Sequence, residues 1–208
     1  PPIQIDVSSV TYDLTEMVVT WGESSDNDFV SYELLQSGSE NGLYTSVVVI
    51  TDQTTTSHSL TEYDPTQENW FKVKVTDYWG LSSTGTGMTS SLNNQPTPVN
   101  VTSIIYDTNE MVVTWEDYVP NLSRINQMNQ NTRNTVTNDF VSYELLQSDS
   151  EDGTYSSVNI ITDQSTTSHS ITEYDPTYEN WFKVKVTDYW GLNSTGTGMT
   201  NEIDSSPS

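Results

Sequence analysis

The 208-residue chain carries 29 acidic residues against 6 basic ones, a formal net charge of -23, and no cysteine. So strong a negative field repels nucleic acid and anionic lipid, and the absence of thiols removes disulfides, thiolate catalysis and cysteine-built zinc sites. No apolar run is long enough to span a bilayer and no signal peptide is evident, so the chain, which starts Pro1-Pro2, is expected to be a mature or excised piece of something longer.

Along the chain the hydrophobic period is two. Met17, Val19 and Trp21 fall on one face of a predicted strand, Val30, Tyr32 and Leu34 on another, and Phe71, Val73 and Val75 on a third, with Thr, Ser, Glu and Lys between them. Turn residues punctuate these runs at Asp13-Leu14-Thr15, Gly38 to Gly42, Tyr63-Asp64-Pro65-Thr66 and Trp79-Gly80, a spacing that predicts an all-β sandwich. Asn93 to Pro98 is polar and holds two prolines, which predicts a short, semi-rigid linker.

Beyond the linker the pattern returns. Met17 to Trp21 recurs as Met111 to Trp115, and Phe29 to Met88 recurs as Phe140 to Met199 with about five residues in six unchanged. The reading is therefore two tandem seven-stranded antiparallel sandwiches: repeat 1 over 1–92, linker 93–98, repeat 2 over 99–203 and a tail over 204–208 resembling a second linker. Copied modules supply length, spacing or repeated weak contacts more readily than one asymmetric catalytic centre.

Thr56 to Pro65, Phe71 to Asp77 and Gly80 to Ser83 resemble strands E, F and the F–G turn of a fibronectin type III domain. The Trp ending strand B and Asp28 to Tyr32 entering strand C fit the same pattern, so the resemblance covers nearly all of both repeats, in the style of bacterial surface proteins. The chain departs from it at the family's tyrosine corner, which falls on Asn69 and Asn180 beside Trp70 and Trp181. The resemblance implies an immunoglobulin-like β-sandwich with loops B–C, D–E and F–G at the end carrying each domain's N-terminus. It implies spacer, adhesion or accessory roles outside the cell or on its surface, and no particular chemistry.

The repeats differ most between Trp115 and Phe140, where repeat 2 has a B–C loop (116–139) 17 residues longer than its counterpart. This loop holds Arg124 and Arg133, the only arginines, together with Leu122, Ile125 and Met128. It reads either as an Asn-rich surface insertion or as a contact arm, its guanidinium forks suited to the carboxylates of Glu62, Asp64 and Glu68 in the E–F loop of repeat 1, or to a neighbouring molecule.

Two sets of aromatics are further interface candidates. Tyr78-Trp79 and Tyr189-Trp190 occupy the F–G turns, where they either cap the sandwich end or anchor a partner. Trp70 and Trp181 share the outward face of strand F with Lys72, Lys74, Lys183 and Lys185, whose simplest role is cross-strand pairing with Glu33 and Glu144; a docking face for another copy or a sugar ring is the alternative.

Catalysis finds little in the sequence. His58 and His169 are the same position in strand E and read as core-edge residues, and no phosphate-binding glycine loop is present. Asp26, Asp28 and Asp77 are the candidates for a Ca²⁺ site, without a sequential calcium-loop pattern; no other cofactor is implied. Asn100, Asn121 and Asn193 match the glycosylation pattern. The expectation is thus a non-enzymatic, acidic, secreted or cell-surface module. It serves as a building block of a fibre or adhesin stalk and contacts its own copies or neighbouring modules. The alternative is a glycan-binding accessory part of a carbohydrate-active enzyme.

Overall fold

A computed structural model describes residues 1–120 and 138–204. Every regular element in them is a β-strand, and the chain divides into two compact units, the first from Pro1 to Asn93. Unit 1 contains β1 (Val7–Tyr12), β2 (Met17–Trp21), β3 (Phe29–Ser37), β4 (Thr45–Ile50), β5 (Ser57–Leu60), β6 (Trp70–Asp77), β7 (Ser82–Thr84) and β8 (Met88–Thr89). One sheet has the order β1-β2-β5 and the other β4-β3-β6-β7, with β8 also pairing β6; all pairings are antiparallel. Unit 2 repeats this with β9 (Val101–Tyr106), β10 (Met111–Trp115), β11 (Phe140–Ser148), β12 (Ser156–Ile161), β13 (Ser168–Ile171), β14 (Trp181–Asp188), β15 (Asn193–Thr195) and β16 (Met199–Thr200). Strands A, B and E facing C′, C, F and G is the fibronectin type III order, so each unit is a sandwich of that kind.

The period-two pattern becomes the core. Met17, Val19 and Trp21 of β2, Tyr32 and Leu34 of β3, and Phe71, Val73 and Val75 of β6 are all buried, while the residues between them are partly exposed. Trp21 meets Tyr32 edge-on at 5.9 Å. One expected core residue is misplaced by the simple alternation. Val30 is exposed, because a bulge between Phe29 and Ser31 adds a residue against Asp77 and Thr76, and Phe29 instead packs on Tyr32 at 4.6 Å.

The corner that departs from the family pattern is rebuilt from other groups. Asn69 is buried and donates its amide to the carbonyls of Asp64 (2.8 Å) and Gln67 (2.9 Å), while its oxygen accepts from Gln36 Nε2. Tyr63, six residues earlier, donates its hydroxyl to the Asp13 carbonyl and so ties the E–F loop to the A–B turn. Asn180 and Tyr174 repeat both devices in unit 2.

The other end of each unit is tied as firmly. The buried Tyr32 hydroxyl accepts the Ser24 N–H at 2.6 Å and donates to the Gln53 carbonyl, and Gln53 Nε2 donates to the carbonyls of Ser24 and Asp26. Loops B–C and D–E are thereby joined, and the Tyr78 N–H, donating to the Asp28 carbonyl at 2.8 Å, adds loop F–G. The chain's first residues reach the same end, since the Ile3 N–H donates to Asp26 Oδ2. The approach of strand A to strand G leaves no room for a side chain at Gly85, where a Cβ would lie 2.0 Å from the Ile5 carbonyl oxygen.

Candidate functional site

Asp77 ends β6 and turns its carboxylate back on the loop that follows. Its Oδ1 accepts the backbone N–H groups of Trp79 (3.0 Å) and Leu81 (2.8 Å), and the Gly80 N–H closes the turn on the Asp77 carbonyl. Gly80 sits at φ 76°, a left-handed conformation that costs a glycine little. With the backbone satisfied internally, the side chains of Tyr78 and Trp79 project outward, 75% and 76% exposed. Their rings stand perpendicular, 89° apart at 5.5 Å. Ile3, Val30 and Leu81 are also exposed at this loop end.

Unit 2 builds the same turn on Asp188, which accepts from Trp190 and Leu192, with Gly191 at φ 80°. Here Tyr189 is exposed but Trp190 is only half-exposed. A residue that the sequence reading passed over contributes to this end. Tyr118 is buried, packs on Phe140 at 5.4 Å, gives its hydroxyl to Asp139 at 2.6 Å and its N–H to Tyr143 Oη. It stands where unit 1 has Ser24, and the signal was available: each is the third residue after its strand-ending Trp. Leu122, Arg124, Ile125, Met128, Arg133 and Asn121 lie outside the described residues.

Trp70 and Trp181 are half-buried rather than open, each donating its indole N–H to the preceding acid, Glu68 or Glu179, at 2.8 Å. On the same face Lys74 pairs with Glu33 and Lys185 with Glu144, directly across the ladder. Hydrogen bonds from the lysine and then from Ser46 or Ser157 hold both glutamates below the usual carboxylate range. Lys72 lies 4.3 Å from the Tyr44 ring centre and Lys183 4.2 Å from that of Tyr155. All four lysines are therefore engaged within their own units.

Among the described residues no three His, Asp or Glu side chains form a group able to hold a metal. Of the calcium candidates, Asp77 clamps the F–G turn, Asp26 accepts from Ile3 and Ser24, and Asp28 contributes its carbonyl to Tyr78. His58 and His169 sit half-buried opposite Val19 and Val113. Asn100 ties strand A to strand G: its oxygen takes the Thr197 N–H and hydroxyl and its amide donates to Glu116, a link that Asp6 makes to Thr86 in unit 1. Asn193 is exposed at the start of β15.

No protein-family model matches the chain, and neither does any curated protein. Among solved structures it is similar to the two-domain fibronectin type III segment of chicken tenascin, at 17% identity and a TM-score of 0.37 over 96% of this chain and 97% of that one. The chicken CNTN1 FN1-FN3 domains give 16% identity and a TM-score of 0.35 over 97% and 68% of the two chains. The chicken interferon gamma receptor alpha chain gives 14% and 0.40 over 95% and 98%. Likeness at this level concerns the fold, and the strand order within each unit defines it: a tandem of fibronectin type III-like sandwiches. No helix among the described residues is long and apolar enough to cross a membrane.

Proposed function

We propose that the chain is a non-enzymatic extracellular structural module, a building block of a surface fibre or adhesin stalk that assembles through its domain-end loops. The observation that carries this reading is the F–G turn of unit 1, whose backbone N–H groups from Tyr78 to Leu81 are all bonded while Tyr78 and Trp79 stand in solvent at the same end as the exposed Ile3, Val30 and Leu81. Exposing two large aromatics together costs solubility and returns nothing to the fold, whereas such rings are the usual anchors of interfaces. This reading invokes no Ca²⁺ and takes up Asn193, exposed at the start of β15, as a glycan acceptor.

A second reading, glycan binding, draws on unit 2. Tyr106 and Tyr174, 6.3 Å apart, line a cleft of about 550 Å³ with Asp107 and Asp204, a mixture of ring faces and carboxylates suited to a sugar. The perpendicular rings of Tyr78 and Trp79, by contrast, offer no flat platform. Polysaccharide pull-down and electron microscopy of the intact chain separate the two: end-to-end polymers support the structural role, while polysaccharide binding without polymers supports the glycan role and refutes the first.

A further inference from the structure

The outer strand of the larger sheet differs between the units by a residue that changes what its edge can do. In unit 2, Asn159 of β12 uses its carboxamide twice. Its oxygen accepts the N–H of Ile160 at 2.9 Å, and its nitrogen lies 3.3 Å from His169 Nδ1 on β13. The edge strand thus covers one of its own amides and is stitched to the opposite sheet. Unit 1 has Val48 at this position, in the same ladder register, and a valine can make neither bond.

The β4 edge is otherwise poorly defended. Among the described residues it pairs with β3 on one side and with no strand on the other. From Asn41 to Thr51 it carries no charge and no proline, and its core is Val47-Val48-Val49-Ile50. Val49 is 57% exposed, and Leu43 just before the strand is 88% exposed. A bulge opposite Leu34 and Leu35 interrupts the ladder near Val47, a device both units share, so the units differ within Val48 to Ile50, where unit 1 lacks the side-chain bond that covers the Ile160 amide in unit 2. An uncharged, β-branched outer strand is a template for strand addition, and natural sheets usually protect such edges with Lys, Pro or local capping.

Charge selects the occupant. Copies of a chain at net charge -23 repel one another over most of their surface and can meet only along an uncharged strip, which this edge supplies. A two-fold pairing of the strip with itself needs no complementary partner sequence. We propose that β4 of unit 1 pairs antiparallel with β4 of a second copy, joining two β4-β3-β6-β7 sheets into one continuous sheet. This lateral contact uses none of the residues of the end-on contact at Tyr78 and Trp79 and does not depend on it.

The test transplants one repeat's residue into the other. Val48→Asn places in unit 1 the side chain that unit 2 already accommodates at the equivalent site, so folding, checked by circular dichroism, is expected to survive. In sedimentation velocity over a concentration series, the Tyr78→Ala, Trp79→Ala chain, which has lost the end-on contact, forms a dimer that strengthens with added salt, and adding Val48→Asn weakens it at least about tenfold. On the same background Asn159→Val opens the second edge and yields species beyond the dimer. A background chain that stays monomeric, or a dimer equally strong with Val48→Asn, would overturn the proposal.

Discussion

Replacing Tyr32 by Phe isolates the hydrogen bonds that gather the loop end of unit 1. The ring is fully buried and would keep its contacts with Trp21 and Phe29, so no cavity larger than one oxygen opens. What disappears is the acceptor for the Ser24 N–H at 2.6 Å and the donation to the Gln53 carbonyl at 3.0 Å. Ser24 is only 3% exposed, so water cannot readily replace the lost acceptor. An orphaned buried amide costs about 1–3 kcal/mol and the second bond about 1, for an expected loss of about 2–4 kcal/mol. Urea denaturation of the full chain measures the loss, and amide exchange at Ser24 localises it. A loss below about 0.5 kcal/mol with the Ser24 amide still protected would refute the view that this hydroxyl pins loops B–C and D–E.

Asn69→Ala removes the two carbonyl bonds that replace the family's tyrosine at the E–F corner; about 1–3 kcal/mol of destabilisation in urea titration is expected, and a change within 0.5 would mean that the Tyr63 tie suffices. Acid should also destabilise the chain. Glu33 and Glu144 are held low by their lysines and Asp52 by Thr54, while in Asp13 burial pulls upward but the Thr15 and Glu16 bonds prevail. Carboxyls depressed in the folded state contribute stability above their unfolded value near 4 and lose it as the pH falls through the folded one. Melting temperature should therefore drop below pH 4; a rise there would mean that relief of the -23 charge outweighs the lost bonds.

The duplicated alternation around Trp21 and Trp115 was enough to read two sandwiches, because a half-buried strand writes its face into every second residue. Val30 escaped that rule since a bulge is a property of two strands together, and one strand's sequence does not mark it. Asn69 looked like a missing lock because a side-chain amide can replace a hydroxyl only if the backbone curls around it, which emerges in three dimensions. The F–G aromatics were legible from the turn signal, but their exposure was not, since it depends on Asp77 satisfying the turn from beneath. The Val48 and Asn159 difference was visible as a substitution and acquired meaning only from its place on a sheet edge.

The most direct test of the structural role is the assembly state of the full chain against that of a Tyr78→Ala, Trp79→Ala double variant, followed by light scattering and electron microscopy. Both side chains project into solvent and are not part of the buried core, so the variant should melt within a few degrees of the wild type. The account predicts end-to-end polymers of the wild-type chain that shorten to isolated molecules or lateral dimers in the variant. Polymers of unchanged length in the variant, or a wild-type chain that never polymerises, would contradict it.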